Sequence, residues 1–368
     1  MAHPNHRQIT IVDVAREAGV SKSTAGRVLA GYGSSSTSAH VKVKEAAKRL
    51  GYTPNALAKA MVSGSSHTIG VIIPDVASPF FSAVVRGLSD AARTAGFEVI
   101  ISNTDNDADI ETRMIALLAG KRVDGFIIAP VFQQHSAVIN ALGERGIPVV
   151  LLDRRGPELA TTPLVSLDHV KASELATDHL LDLGHRRIAI VTEADKTVHE
   201  LLDGSDTPEL LRPSSQRLLG YLNALTARAL DVDPELVIHA EYDRADAAAR
   251  VRERLDSSVD ITALYCTDSV LSSGAFQTLL DLGIRYPEQL SFVGFDDQEW
   301  STLVRPSITV VSQPRYRLGA TTATALIERM RHPEAVLGDI RMPAKLIVRE
   351  STAALNKVGT TPPNLRHQ

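Results

Sequence analysis

Apolar positions first recur at helical spacing and later merge into continuous blocks, so the chain changes texture along its length. Ile11, Val14, Ala15 and Ala18 keep helical spacing behind a Thr10-x-x-Asp13 start, with a hydroxyl to cap and an acid in the first turn. Gly19 breaks the run, Val20 plugs the corner, and Ser21 caps a second helix from Lys22 to about Leu29. On that helix Ala25, Val28 and Leu29 share an inward face, and Lys22, Ser23, Gly26 and Arg27 share the opposite one. Two short helices around a tight turn form a helix-turn-helix. A short helix showing Lys, Ser and Arg outward suits a major groove, where Arg and Lys donate to guanine O6 and N7. Ser36, Thr37 or Ser38 caps a third helix, striped by Val43, Ala46, Ala47 and Leu50 and ended by Gly51.

Pro54 cannot continue that helix, and Asn55 caps a further two turns over 56–62 before a Ser-rich linker. An isolated helix of two turns does not hold in water, so this one forms conditionally and suits a switch. From Thr68 onward, apolar strands alternate with amphipathic helices. The expected strands are 69–74, 98–102, 125–130, 148–153 and 165–168, then 188–192, 237–242, 263–266, 290–296, 308–314 and 346–350. The helices are 80–95, 109–119, 135–145, 169–183, 215–228, 244–255, 270–282 and 317–331. Continuous apolar strands spaced by helices predict parallel sheets covered on both faces. The unit recurs twice, giving an α/β chain: an all-α helix-turn-helix headpiece and two doubly wound parallel-sheet subdomains. Ligands of such sheets bind beyond the strand carboxyl ends, here at Asp75, Pro130, Asp153-Arg154, Asp168, Thr267-Asp268 and Asp296-Asp297.

Charge sharpens this division. The chain carries −4 overall, but residues 1–65 hold nine Lys and Arg against three Asp and Glu, a net +6, and the rest is acidic. A basic arm on an acidic body points to a polyanion partner for the arm alone. Hydrophobic residues make up 44% and aromatics 4%, so aliphatic packing dominates the cores. The single cysteine, Cys266, lies in an apolar run and reads as an inert core thiol. No Cys/His spacing suits structural zinc, and no cofactor is expected. G-x-G-x-x-G, P-loop and G-x-S-x-G motifs are all missing, which argues against an enzyme. The first residues, MAHPNHRQ, lack a signal-peptide core and no apolar run reaches membrane length, so a soluble cytoplasmic protein is expected. A transporter's solute-binding protein would suit the core alone, and the basic headpiece speaks against it.

TIVDVAREAGVSKST, GYTPNALAKAM, IGVIIPDVASPFF, VDGFIIAP, IPVVLLDRR, LGHRRIAIV, RLLGYLNAL and VGFDD stand in an order that resembles the LacI/GalR family of transcription regulators. The resemblance runs from Thr10 to about Ser351. It implies three parts: a DNA-binding headpiece (1–53), a hinge helix and linker (54–66), and a periplasmic-binding-protein-like core for effector binding and dimerisation (67–354); the polar tail (355–368) has no core-forming pattern and is expected to be disordered. It implies a homodimeric repressor on a near-palindromic double-stranded DNA operator, with a sugar or related polyol as effector and no membrane partner. Induced release is the expected response; the same architecture serves corepression by a nucleoside or purine-like metabolite. By the resemblance, DNA is met by Thr10, Ser21, Lys22, Ser23, Thr24, Arg27, Asn55, Ala58 and Met61. Lys22, Ser23 and Arg27 touch base edges, Thr24 and Asn55 touch phosphate, and Met61 stands where relatives insert a leucine as a minor-groove wedge. The effector set is Phe80, Phe81, Asp153, Arg154, Arg217, Tyr242, Thr267, Asp268, Asp296 and Gln313. Phe rings stack on a sugar face, and Asp, Arg and Gln each hold adjacent hydroxyls. The chain departs from the family pattern at Ala25-Gly26, where Val-Ser is usual, and at Thr267, where Asn is usual. The segment 193–215 is longer than the family norm and can lid the cleft or change the ligand size.

Overall fold

The computed structural model describes residues 9–30, 35–52, 65–131 and 136–355. Asn55, Ala58, Met61, the hinge helix expected at 56–62 and the tail from residue 356 lie outside the described residues. The chain divides into two compact units, Met1–Thr68 with Leu117–Asp124 and Ile69–Ala116 with Gly125–Gln368.

In the first unit, α1 (Ile11–Ala18), α2 (Lys22–Ala30) and α3 (Thr37–Leu50) follow the expected pattern. Thr10 donates from both its backbone N–H (2.9 Å) and its hydroxyl (2.7 Å) to the Asp13 carboxylate. Gly19 takes a left-handed φ of 64°, which lets the chain leave α1 and reach Ser21 within two residues. Of the three candidate caps for α3, Ser36 is the one used: its hydroxyl accepts from Ala39 N–H at 3.2 Å. Val14, Ala15, Ala18, Ala25, Val28, Val43, Ala46 and Ala47 form a buried cluster edged by Ile11, Leu29, Leu50 and Tyr52. Alanine dominates it, so the helices pack closely around a thin core. At the end of this unit's linker, Ser66 N–H and His67 N–H donate to Asp124 at 2.7 and 2.8 Å.

The α/β part begins with β1 (Thr68–Ile73), α4 (Pro79–Thr94), β2 (Glu98–Asn103), α5 (Ala108–Gly120), β3 (Gly125–Ile128), α6 (Ser136–Glu144), β4 (Val149–Leu152) and β5 (Leu164–Leu167). It continues with α7 (His169–Asp182), β6 (Ile188–Thr192), α8 (Val198–Leu202), α9 (Pro213–Ala227), β7 (Val237–His239), α10 (Arg244–Asp256), β8 (Ala263–Cys266) and α11 (Ser269–Asp281). The last elements are β9 (Ser291–Phe295), α12 (Trp300–Leu303), β10 (Thr309–Ser312), α13 (Arg315–Arg331), β11 (Ile340–Met342) and β12 (Lys345–Ile347). Two six-stranded sheets result, ordered β11-β5-β4-β3-β1-β2 and β12-β10-β9-β8-β6-β7. β1, β3, β4, β5 and β11 pair in parallel, with Val71 opposite Ile127, and β6 to β10 do likewise, with Ile190 opposite Tyr265. Every residue of β3, β4 and β6 is buried, as sheets covered on both faces require.

The two subdomains are not successive halves of the chain. The chain passes to the second sheet after β5, returns after β10 so that α13 packs on the first, and crosses again between β11 and β12. α13 lies against α4 through Gly87 and Gly319, where an added Cβ would overlap the backbone oxygens of Tyr316 and Val84. Two expectations are corrected. The strand expected at 346–350 is the three-residue β12, antiparallel to β10, and β11 was not foreseen. β7 stops at His239, so Tyr242 stands in the turn beyond it. The segment 193–215 holds α8 and a turn of 3₁₀ helix at Pro208–Leu210. Cys266 is fully buried, and burial pushes its thiol well above the usual range. Among the described residues no helix is long and apolar enough to cross a membrane.

Candidate functional site

Two places carry the chemistry singled out above. On α2, Ala25 and Val28 are buried, while Ser21, Lys22 and Ser23 are exposed and Thr24 and Arg27 half-exposed. Ser21 caps this helix: its hydroxyl accepts from Thr24 N–H at 3.1 Å and shares hydrogen bonds with Thr24 Oγ1 at 2.8 Å and Ser23 Oγ at 3.1 Å. Unsatisfied N–H groups of the first turn, the positive helix end and three hydroxyls together make a phosphate-compatible end. Arg27 Nε touches its own helix only through Ser23 O at 3.4 Å, a weak hold on a side chain that can reach outward. Gly26, placed on the outward face from the sequence, sits beside Ile11, whose Cδ1 would lie 3.7 Å from an added Cβ.

The second place is a cavity of about 320 Å³ between the α/β subdomains, within the usual size range of small-molecule sites. Ser78, Phe80, Phe81, Asp153 and Arg154 line it from one side, and Glu193, Arg217, Tyr242, Asp268 and Gln313 from the other. These positions follow from the topology, since parallel strands present their carboxyl ends to the gap. Asp153 follows β4 and Asp296 follows β9, and both hold left-handed backbone, with φ of 68° and 63°. Such strain in a non-glycine residue is tolerated where a side chain must be aimed.

A buried relay crosses the rear of the cleft. His169 Nε2 lies 3.3 Å from Asp153 Oδ1, and Arg217 Nε and Nη2 lie 3.3 and 3.2 Å from His169 Nδ1. Arginine only donates, so Nδ1 accepts and the proton of a neutral imidazole sits on Nε2, facing Asp153. Burial, aided by the Arg217 charge, holds the imidazole below its usual pKa. Burial alone would raise the Asp153 carboxyl, but His169, Arg217 and Arg154 outweigh it and lower it. Arg217 Nη1 also donates to Thr267 O at 2.8 Å, and its guanidinium lies 4.3 Å from the centre of the Phe295 ring. Phe80 and Phe81 meet edge to face with centroids 5.0 Å apart. Tyr242 OH shares a hydrogen bond with Ser78 Oγ at 3.2 Å, joining the two walls.

Eight of the ten expected effector residues line this cavity; Thr267 and Asp296 do not. The Thr267 hydroxyl turns back to Val191 O at 3.1 Å, and only its carbonyl serves the site by holding Arg217. Asp296 is buried behind Gln313, which donates to its Oδ1 at 3.0 Å, and burial pushes its carboxyl up to about 6. Asp268 doubles as the α11 cap, accepting from Val270 N–H at 2.6 Å, and burial raises its carboxyl. Asp168 caps α7 and stays outside the cavity wall. Sequence reasoning missed His169, Glu193 and Arg212. Burial and the neighbouring Asp268 push Glu193 up to about 7, and its carboxylate accepts no hydrogen bond among the described residues. Among the described residues the buried Arg154 Nε and Gln313 Oε1 also have no hydrogen-bond partner. Unsatisfied donors and acceptors beside an aromatic pair suit a ligand with an apolar face and a hydroxylated rim.

Residues 66–350 match the family profile of periplasmic binding proteins and the sugar binding domain of the LacI family, and residues 10–55 match that of bacterial regulatory proteins of the lacI family. The chain is 32% identical to catabolite control protein A of Priestia megaterium, over 94% of this chain and 99% of the relative. It is 31% identical to the ribose operon repressor of Halalkalibacterium halodurans, over 93% and 97% respectively. Among solved structures, the transcriptional regulator CelR in complex with cellobiose is similar, with a TM-score of 0.67 and 27% identity over 93% of this chain and 99% of that one.

Proposed function

The chain belongs to the LacI family of bacterial regulatory proteins, and from that premise we propose a homodimeric cytoplasmic repressor that leaves its near-palindromic operator when a sugar-like effector fills the cleft. It is a DNA-binding transcription regulator with an effector-binding domain, not an enzyme. The carrying observation for the effector is the set of buried polar atoms without partners among the described residues, Arg154 Nε and Gln313 Oε1, beside the Phe80–Phe81 pair. A sugar's hydroxyls satisfy such atoms while its apolar face meets the rings. A ligand touching Phe80 and Arg154 on one wall and Arg217 and Tyr242 on the other favours whichever subdomain arrangement lets both contacts form. That preference is the free energy available to change operator affinity.

For DNA, Lys22, Ser23 and Arg27 read base edges, while Thr10, Ser21 and Thr24 hold phosphate. Asn55, Ala58 and Met61 extend the contact through the hinge segment, with Met61 as the minor-groove wedge. The homodimer reading is supported by β2, the outer strand of its sheet, which leaves Ile100 and Ile101 exposed. An apolar sheet edge of this kind is commonly covered by a partner. Two copies related by a two-fold axis would present two recognition helices to two half-sites.

The test selects binding sites from a random duplex pool with the full-length protein and then titrates salt and sugars. The expected consensus is two inverted half-sites, with affinity falling linearly in log salt and release by a sugar. An asymmetric site bound by one copy, or salt-independent affinity, would overturn the reading.

A further inference from the structure

Between Glu193 and Arg212, which line the cleft, the chain borders a second cavity of about 460 Å³. Arg212 stands in the walls of both cavities, so one side chain separates or joins them. We propose that this chamber is a second sugar subsite and that the effector is a neutral glycoside of two units, with one unit in the cleft and the next beside Arg212. The proposal rests on the sugar-effector reading above.

The chamber has the lining that a sugar unit needs. Leu210, Leu211 and Pro157 supply apolar surface, and Glu158, Asp195 and Lys196 supply acceptors and a donor around it. It is bounded from both subdomains: Pro157 and Glu158 come from the turn after β4, and Asp195, Lys196, Leu210, Leu211 and Arg212 from the second subdomain. Its wall is braced without ligand. Thr197 and Glu200 form a capping box at α8, Lys196 pairs with Asp206 at 3.0 Å, and Glu209 reaches Arg341 of β11, on the first sheet, at 3.0 Å. Asp195 is fixed from behind, accepting from Ser215 Oγ at 2.6 Å. A pre-formed wall binds without the entropy cost of ordering a loop.

Charge excludes other second units. In the chamber Glu158, Asp195 and Asp206 outnumber Lys196 and Arg212. A phosphorylated sugar or a nucleotide would bring its anion into this excess of carboxylates, whereas hydroxyls can donate to each of them.

The experiment is calorimetry on the full-length protein with glucose, galactose, ribose, adenosine, cellobiose, maltose, lactose and sucrose. At least one disaccharide should bind about 10- to 100-fold more tightly than either of its component sugars, the gain expected of one or two hydrogen bonds to charged groups. Lys196→Ala and, from the opposite wall, Glu158→Gln should each remove most of that gain and leave monosaccharide affinity unchanged, with melting temperature as the folding control. Tight monosaccharide binding without a disaccharide gain, or variants that bind the disaccharide normally, would overturn the subsite and leave the sugar-effector cleft standing. Binding of adenosine alone, or of nothing in the panel, would overturn both.

Discussion

Lys22 lies exposed and Arg27 half-exposed on a helix face among hydroxyls, whereas Arg217 lies buried between His169, Thr267 O and the Phe295 ring. The first arrangement costs the fold little, because exposed charges are nearly free to hold, and it leaves the side chains able to adjust to a polyanion. The second commits buried charges to each other before any ligand arrives, so the site is rigid and its parts are interdependent. Substitutions should therefore separate the two regions cleanly: loss of binding alone on α2, loss of binding together with stability in the cleft.

The largest effect is expected at Arg217. Arg217→Ala leaves His169 Nδ1 and Thr267 O buried without their donor and removes a positive charge near Asp153 and Asp268, a loss of about 2–5 kcal/mol for two buried acceptors at ~1–3 kcal/mol each. Urea unfolding of the full-length protein should show it, calorimetry should show effector binding abolished, and operator affinity should persist. Effector binding of normal strength in that variant would remove Arg217 from the site.

At the exposed site the prediction inverts. Arg27→Ala should weaken operator binding by about 1–3 kcal/mol and relax base preference at its position, with unfolding and effector affinity unchanged. Anisotropy titrations against the selected operator and single-base variants decide it; intact discrimination would end its base-reading role.

The same contrast explains what could be read in advance. The α2 face was legible because helical spacing alone decides which side chains point outward. Asp153, Arg154 and Asp268 were legible as residues at strand carboxyl ends. Position along a strand does not fix where a side chain points, however, so Thr267 and Asp296 were placed in a wall that they support from behind. His169 was overshadowed by its neighbour Asp168, which turned out to cap α7. β11, at three residues, is too short for any period to register, so the repeated crossing of the chain between sheets was invisible. Glu193 and Arg212 lie in a segment with no strand or helix pattern to place them.

Acidity separates the regions next. Glu193 holds its proton up to about pH 7 in the folded protein against an ordinary 4.5, so its contribution is fully present below 4.5 and is lost as pH rises through 7. Asp296, at about 6, acts in the same direction, and Arg154, Arg212 and Arg217 face Glu193 as fixed positive charges. His169 acts oppositely: its lowered pKa costs stability as pH falls below 6.5. The difference between wild type and Glu193→Gln isolates the carboxyl. From about pH 5 to about pH 8 the variant should gain about 1–2 kcal/mol relative to wild type, measured by urea unfolding at each pH. A difference independent of pH would show Glu193 ionised throughout.

The smallest change tests whether the headpiece tolerates improvement where the cleft does not. Gly26 lies in the interior of α2, where glycine costs about 1 kcal/mol relative to alanine because its backbone loses more freedom on ordering. An added Cβ would meet Ile11 Cδ1 at 3.7 Å, ordinary van der Waals contact, and nothing nearer. Gly26→Ala should therefore slow amide exchange along α2 by about fivefold, the equivalent of ~1 kcal/mol in local opening. Because the methyl faces Ile11, between the recognition face and the core, operator affinity should hold or rise slightly as less order is left to form on DNA. Slower exchange with weaker binding would mean that the DNA backbone needs the space this glycine leaves open. The departure at Ala25-Gly26 would then be a feature of recognition and not a cost to the helix.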